Sequence, residues 1–130
     1  MIPSITPIYA ALFALLYIFL SLRVAAMRWA TRVSLGDGGN AELTRRTRVH
    51  GNFIEYAPLT LILMALAELQ GQPAWIVHLI GGSLAIGRLA HAYAISCEPQ
   101  ILKLRVLGMV LTVTALTAGA LANLAAALAG

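Results

Sequence analysis

The chain has 130 residues, of which 60% are hydrophobic and only 11% charged, with nine Lys and Arg against five Asp and Glu. A mean hydropathy of +0.84 leaves too little polar surface for a water-soluble domain of this length, so the chain reads as an integral membrane protein. The basic excess does not argue for nucleic acid, because the cations cluster at the ends of apolar runs, where they set topology, and the single Cys97 excludes an internal disulfide and any multi-cysteine metal site.

The first predicted element spans residues 5–27. Its apolar run from Ile5 to Leu22 has no basic residue before it, has Arg23, Arg28 and Arg32 after it, and exceeds the ~7–15 apolar residues of a secretory signal. It is expected to persist as a first membrane helix. LGDGGN (35–40) follows, its glycines permitting the positive φ of a tight turn. Asn40 is a predicted N-cap for a second helix over 40–70, stopped by QGQP (70–73). At about 31 residues and ~46 Å that helix outreaches the ~30 Å hydrocarbon core, so its first turns project and bring residues 48–55 to the membrane face. Pro58 cannot bond the carbonyl of Ile54, which predicts a kink or a recruited polar partner.

A third helix over 74–95 carries GGSLAIG (81–87), and a fourth over 105–129 carries Gly108, Thr112, Ala115, Gly119 and Asn123. Small residues at mostly fourfold spacing let backbones approach closely in lipid, either inside one protomer or between subunits. The loop segment 23–48 holds six Lys and Arg, 70–74 none, and 96–105 two. By the positive-inside rule the first and third loops are cytoplasmic and both termini lie outside. The expected fold is all-α: one domain, residues 1–130, folded as an up-and-down four-helix membrane bundle.

The chemistry concentrates in RVHGNFIEY (48–56). Arg48, Asn52 and Glu55 fall at i, i+4 and i+7, one stripe of the second helix. A lone charge inside the bilayer costs at least ~2.5 kcal/mol, so such residues pair, face the bundle interior or line a site. Either Arg48 and Glu55 are interfacial anchors, or the stripe is half of a pocket. In the second case the third helix supplies the remainder, with Arg88 and His91 at i, i+3 and Tyr93 beside them. Several guanidiniums, an amide and one carboxylate suit a zwitterionic, polyanionic ligand. His50 and His91 lack a third ligand for a metal. His78 reads as interfacial and without polar company, and Glu68 as a boundary charge. No phosphate loop, nucleophile elbow or HExxH motif is present.

RVHGNFIEYAP (48–58) resembles the MAPEG superfamily, the membrane-associated proteins in eicosanoid and glutathione metabolism, whose second-helix Arg, Asn, Glu, Tyr and Pro match Arg48, Asn52, Glu55, Tyr56 and Pro58 without a gap. LGDGGN and GRLAH (87–91) are similar to its small bacterial members, and four helices in this length cover the whole chain. The resemblance implies a homotrimer in the bacterial inner membrane, with glutathione bound as cosubstrate between protomers near the cytoplasmic face. It implies glutathione contacts for Arg48, Asn52, Glu55, Tyr56, Arg88 and His91, with a helix-one arginine, Arg28 or Arg23, also entering; His50 and Tyr93 are the neighbouring candidates. The thiol-activating cation would be Arg105, with Lys103 and His91 in reserve, although SCEPQILKLR (96–105) aligns only with an insertion and Ile95 stands where several family enzymes have tyrosine.

The function expected from this is a glutathione transferase or peroxidase acting on hydrophobic electrophiles dissolved in the bilayer. The competing expectation is a lipid-binding or scaffold protein of the same fold without turnover. Small multidrug exporters have similar size but depend on a glutamate in the first helix, where this chain has no acid.

Overall fold

A computed structural model describes residues 2–130. It contains four helices: α1 (Thr6–Thr31), α2 (Ala41–Leu69), α3 (Ala74–Ser96) and α4 (Leu102–Ala129). The architecture is the expected one, with shifted ends. α1 runs four residues beyond the anticipated 27, to Thr31, and closes on Arg32 in the left-handed conformation. α4 starts at Leu102 rather than 105, because Ile101 provides the cap and the Arg105 N–H already bonds the Ile101 carbonyl at 3.0 Å.

The local signals act as anticipated. Asn40 accepts the Leu43 N–H at 2.9 Å and so satisfies one of the orphan donors that open α2. Gly36, Gly38 and Gly39 all have positive φ in the first loop, and Gly71 has φ +78 directly after α2. α2 continues through Pro58, with the Thr60 hydroxyl donating to the Tyr56 carbonyl at 2.8 Å just past it.

α2 touches all three other helices, α3 pairs most extensively with α4, and α1 and α4 do not meet. In lipid, helix association depends on close packing rather than on expulsion of water. The small residues supply it inside the protomer. A Cβ on Gly87 would stand 2.8 Å from the Gly108 carbonyl oxygen, and one on Gly108 would stand 2.7 Å from the His91 nitrogen, so α3 and α4 cross backbone to backbone there. A Cβ on Gly119 would meet Leu63 at 3.0 Å, and one on Gly81 would meet Met64 and Tyr9 at 2.8 Å.

α1, α2 and α4 are each long and apolar enough to cross a membrane. α3 carries His78, Arg88 and His91, and it buries the last two in the bundle. At the end of the bundle holding both termini, the carboxylate of Glu68 accepts three backbone N–H groups, from Ser4, Ile5 and Thr6, each at 2.7 Å. α1 lacks a side-chain cap of its own. Glu68 is therefore the missing cap, delivered from α2, rather than a boundary charge. His78 also has polar company, sharing a hydrogen bond of 3.1 Å with the Tyr9 hydroxyl.

Candidate functional site

The opposite end of the bundle holds the α1–α2 and α3–α4 loops and most of the cations. Its centre is Arg88, only 2% exposed. The guanidinium is held on every side: Nε donates to Thr112 Oγ1 at 2.9 Å, one terminal nitrogen donates to the Asn52 side-chain oxygen and to its backbone carbonyl, and the other reaches Met109 Sδ at 3.2 Å. The Tyr56 ring lies 5.3 Å from it in a cation–π arrangement. Thr112 in turn donates to the Gly108 carbonyl at 2.7 Å, linking this clamp to the α3–α4 crossing. No acidic residue pairs with Arg88 among the described residues. A buried cation fixed by neutral acceptors keeps its field unneutralised, and a low-dielectric surrounding lets that field reach further.

Asn52, Tyr56 and Arg88 thus come together, while the anticipated stripe of Arg48, Asn52 and Glu55 divides, with Asn52 buried against Arg88 and the other two at the surface. His91 is also buried, one turn along α3, against Gly108. Arg48 and Glu55 behave differently. Their side chains are 57% and 53% exposed, and their charged atoms stand 3.8 Å apart, a loose pair on the flank of α2. Arg48 shares a cleft of about 360 Å³ with Arg28, Gly36, Asp37, Thr44 and Thr47. One Arg28 nitrogen donates to the carbonyls of Val33 and Gly36, at 3.3 and 2.8 Å, so Arg28 holds the loop that walls this cleft. Arg23 donates to Ser96 Oγ at 3.2 Å, tying α1 to the end of α3 away from the cleft.

Asp37 pins the same loop from the other side. Its carboxylate accepts the Gly39 N–H and the Thr44 hydroxyl, both at 2.9 Å. Those two bonds favour the charged form and hold its pKa below the ordinary 3.8, the Gly39 contribution being the larger.

Other anticipated residues lie elsewhere. His50 turns toward α1, bonded to Ser21 Oγ at 3.1 Å and stacked on Tyr17 at 5.1 Å between ring centres. Tyr93 is exposed, two residues from His91 and hence on another side of α3. Arg105 is exposed, donates to Gln100 Oε1 at 2.9 Å, and lines a groove on α4 with Leu102, Val106, Met109 and Val110. It stands one turn from Met109, the residue whose sulfur meets Arg88. Lys103, two residues earlier, is exposed on nearly the opposite side of α4.

Sequence reasoning missed Thr112 and Met109, which complete the clamp. Thr112 stood in a stripe of small residues, and its hydroxyl was the available signal, since a polar atom at that level needs a partner. His50 and Tyr93 could have been set aside by helical angle alone, each being two residues away from the stripe it was attached to. Among the described residues no group of three or more His, Cys, Asp or Glu could hold a metal ion.

The sequence pattern of the MAPEG family matches residues 6–125, nearly all of the four-helix unit. Inner membrane protein YecN of Escherichia coli K12 is 40% identical over 120 residues, covering 92% of this chain and 90% of that protein. The protein of the same name from Escherichia coli O6:H1 matches equally. The matched span includes residues 48–58, Arg88, the first three helices whole and α4 as far as residue 125, and the chain belongs to the MAPEG family.

Proposed function

We propose that this membrane protein binds glutathione at the loop end of the bundle and uses it as cosubstrate in a transferase or peroxidase reaction on hydrophobic electrophiles from the bilayer. The observation that carries the reading is a contrast at one end of the bundle: a buried Arg88 on α3 with no acidic partner among the described residues, and an Arg48 and a Glu55 more than half exposed on the flank of α2, a membrane-length helix. Charges so placed are costly against lipid and call for a polar ligand, a second subunit or both.

The donor set fits glutathione. Its carboxylates need cations, which Arg48 and the unbonded nitrogens of Arg28 supply, while its ammonium needs an acceptor, which Glu55 supplies. When bound, the tripeptide contributes a thiol that becomes a nucleophile on losing its proton. Asn52 and Tyr56 keep the Arg88 guanidinium stationary. Arg88 gives the cleft a fixed positive potential, and Arg105, one turn from Met109 and near the positive end of the α4 dipole, is the cation proposed to hold the sulfur in its thiolate form. Because the stripe faces outward, the proposed assembly is a homotrimer in which a neighbouring protomer covers it. The proposed location is the inner membrane, as the name of the Escherichia coli relative has it, with both termini outside the cytoplasm. A topology reporter fused after Gly130 should then be active only outside the cytoplasm.

Titration of the purified protein with glutathione, read by heat and by thiolate absorbance, tests the reading. Binding with a thiolate signal is expected; absence of binding overturns it. A second reading, a lipid-binding or scaffold protein of the same fold, is favoured by the Arg105 guanidinium being engaged by Gln100 and by Ile95 in place of a tyrosine. Binding without thiolate would select it.

A further inference from the structure

Four cations at the loop end are held in two different ways. Arg45 and Arg46 meet carboxylates: both bond Glu42 at 2.9 Å, and Arg45 also bonds Glu98 at 2.8 Å. Arg88 and Arg105 meet side-chain amides instead, Arg88 the Asn52 oxygen and Arg105 the Gln100 oxygen, the latter at 2.9 Å. An ion pair cancels most of the field of its cation. An amide oxygen accepts an N–H and fixes the guanidinium in place, yet leaves its charge intact.

The start of α4 is a place that favours an acid. The helix opens on Ile101 with no side-chain cap, and its first turn holds Lys103 and Arg105 but no Asp or Glu. A carboxylate at position 100 would answer the orphan N–H groups, the positive end of the helix dipole and the Arg105 guanidinium together. The loop does contain an acid two residues away, Glu98, and Arg45 draws it toward the start of α2. The loop backbone is tied to α3 at both ends, the Cys97 N–H donating to the Tyr93 carbonyl and the Ile101 N–H to the Ala94 carbonyl, each at 3.2 Å. Gln100 therefore reaches Arg105 from a tethered segment. It engages one terminal nitrogen, and the other two guanidinium nitrogens make no hydrogen bond among the described residues.

We propose that Gln100 is a positioning residue: it pins Arg105 on the groove shared with Met109 without neutralising it, and so keeps the free edge of the guanidinium available to the glutathione thiolate. The inference rests on the glutathione reading above and gives the Arg105–Gln100 bond a part in the chemistry. An arginine on an exposed helical turn has much rotamer freedom to lose when it engages a thiolate. A neutral tether removes part of that loss in advance, which an acid could do only by cancelling the charge.

The test titrates the full-length protein in detergent with glutathione across a range of pH, read by thiolate absorbance. S-methylglutathione, which has no thiol to ionise, is titrated in parallel. Gln100→Glu separates positioning from support, because a carboxylate binds Arg105 more strongly and also faces the helix dipole. Its heat stability should hold or rise, while the pH at which half of the bound thiol is ionised should rise by about one, a roughly tenfold loss of thiolate below that pH. Gln100→Ala and Gln100→Met should each lose about threefold, the worth of one exposed neutral hydrogen bond. S-methylglutathione affinity should stay unchanged in all three. In an Arg105→Ala background, Gln100→Glu should have no further effect on the thiolate. A parent that binds no glutathione overturns the glutathione reading and this inference with it. A parent that holds the thiolate while Gln100→Glu holds it equally well overturns the positioning role alone, as does an undiminished Gln100→Glu effect without Arg105. Heat stability that falls in step with the thiolate would reduce Gln100 to a structural support, and loss of S-methylglutathione affinity in Gln100→Ala would make it a direct ligand contact instead.

Discussion

The two ends of this bundle use polar residues in opposite ways. At the end holding the termini, the long polar side chains close on the chain itself, Glu68 on the three N–H groups that open α1, His78 on Tyr9, Asn123 on the Leu63 and Gly119 carbonyls at 2.8 and 2.7 Å, and Gln70 on Asn123, leaving the buried Thr6 hydroxyl without a partner among the described residues. At the loop end Arg88 closes on Asn52 and Thr112, and Arg28 and Asp37 close on the first loop, while Arg48, Glu55, Arg32, Lys103 and Arg105 stand exposed around them. Polar groups at membrane depth are satisfied wherever a fold only has to hold together. Those left open on one end mark where something else must arrive.

The comparison breaks most severely at the α3–α4 crossing, because both ends hang from it. Gly108→Val would press its side chain onto the His91 nitrogen and the Gly87 carbonyl, both backbone atoms that cannot turn aside. A loss of more than ~3 kcal/mol is expected, seen as failure of the protein to survive extraction in detergent. If Gly108→Val is stable, the helices do not approach as closely as described.

Glu68→Ala attacks the closed end alone. Removing a carboxylate that serves three buried or half-buried donors should cost roughly 2–4 kcal/mol in thermal or denaturant unfolding. Glutathione affinity of the folded fraction should not change. A loss of affinity would show that the two ends are coupled and that the division drawn between them is wrong.

What could be read in advance follows the same division by range. Asn40, LGDGGN and QGQP act within a few residues, so cap and turn chemistry located the ends of α2. The meeting of Asn52 with Arg88 was legible because helical spacing and membrane depth are both carried by position along the chain, whereas the exposure of Arg48 and Glu55 on the same helix was not, since it depends on which flank of α2 the other helices leave uncovered. The role of Glu68 was not, since it depends on the start of α1 arriving 62 to 64 residues away in sequence. Nor was the use of Gly87 and Gly108: a small-residue face states that something packs closely, not whether the partner is in the same chain. The clamp's last two members, Thr112 and Met109, required the α3–α4 register, which no local pattern contains.

At the open end, two arginines should separate binding from chemistry. Arg48→Ala should leave stability within ~0.5 kcal/mol, since its pairing with Glu55 is loose and exposed, yet raise the glutathione dissociation constant about tenfold. Arg105→Ala should keep affinity within a few-fold and lower turnover at least ~10-fold, because an interaction specific to the thiolate is felt mainly in the reactive state. Full activity in Arg105→Ala with loss in Lys103→Ala or His91→Ala would move the activating role to another cation and leave the binding site standing.

The smallest effect concerns the loop that walls the Arg48 cleft. Asp37 is charged in the folded loop because Gly39 and Thr44 donate to it, which lowers its pKa beneath the ordinary 3.8. A carboxylate with a depressed folded pKa stabilises the fold above its unfolded pKa, and that contribution drains away as pH falls through the folded value. Between about pH 7 and pH 5 the loop should therefore be unaffected, and only below roughly pH 4 should the protection factor of the Gly39 amide, its exchange relative to an unstructured amide at the same pH, begin to fall. Asp37→Asn keeps one acceptor oxygen but cannot gain a charge, so its Gly39 protection factor should be slightly lower at neutral pH and should not change with acid. The consequence for ligand is modest, because Arg28 still holds the Val33 and Gly36 carbonyls from the other side of the loop. A drop in glutathione affinity of no more than a few-fold is expected in Asp37→Asn at pH 7, measured in the same titration as Arg48→Ala. A drop as large as that of Arg48→Ala would mean that the loop, and not the α2 stripe, provides the principal contacts at the open end.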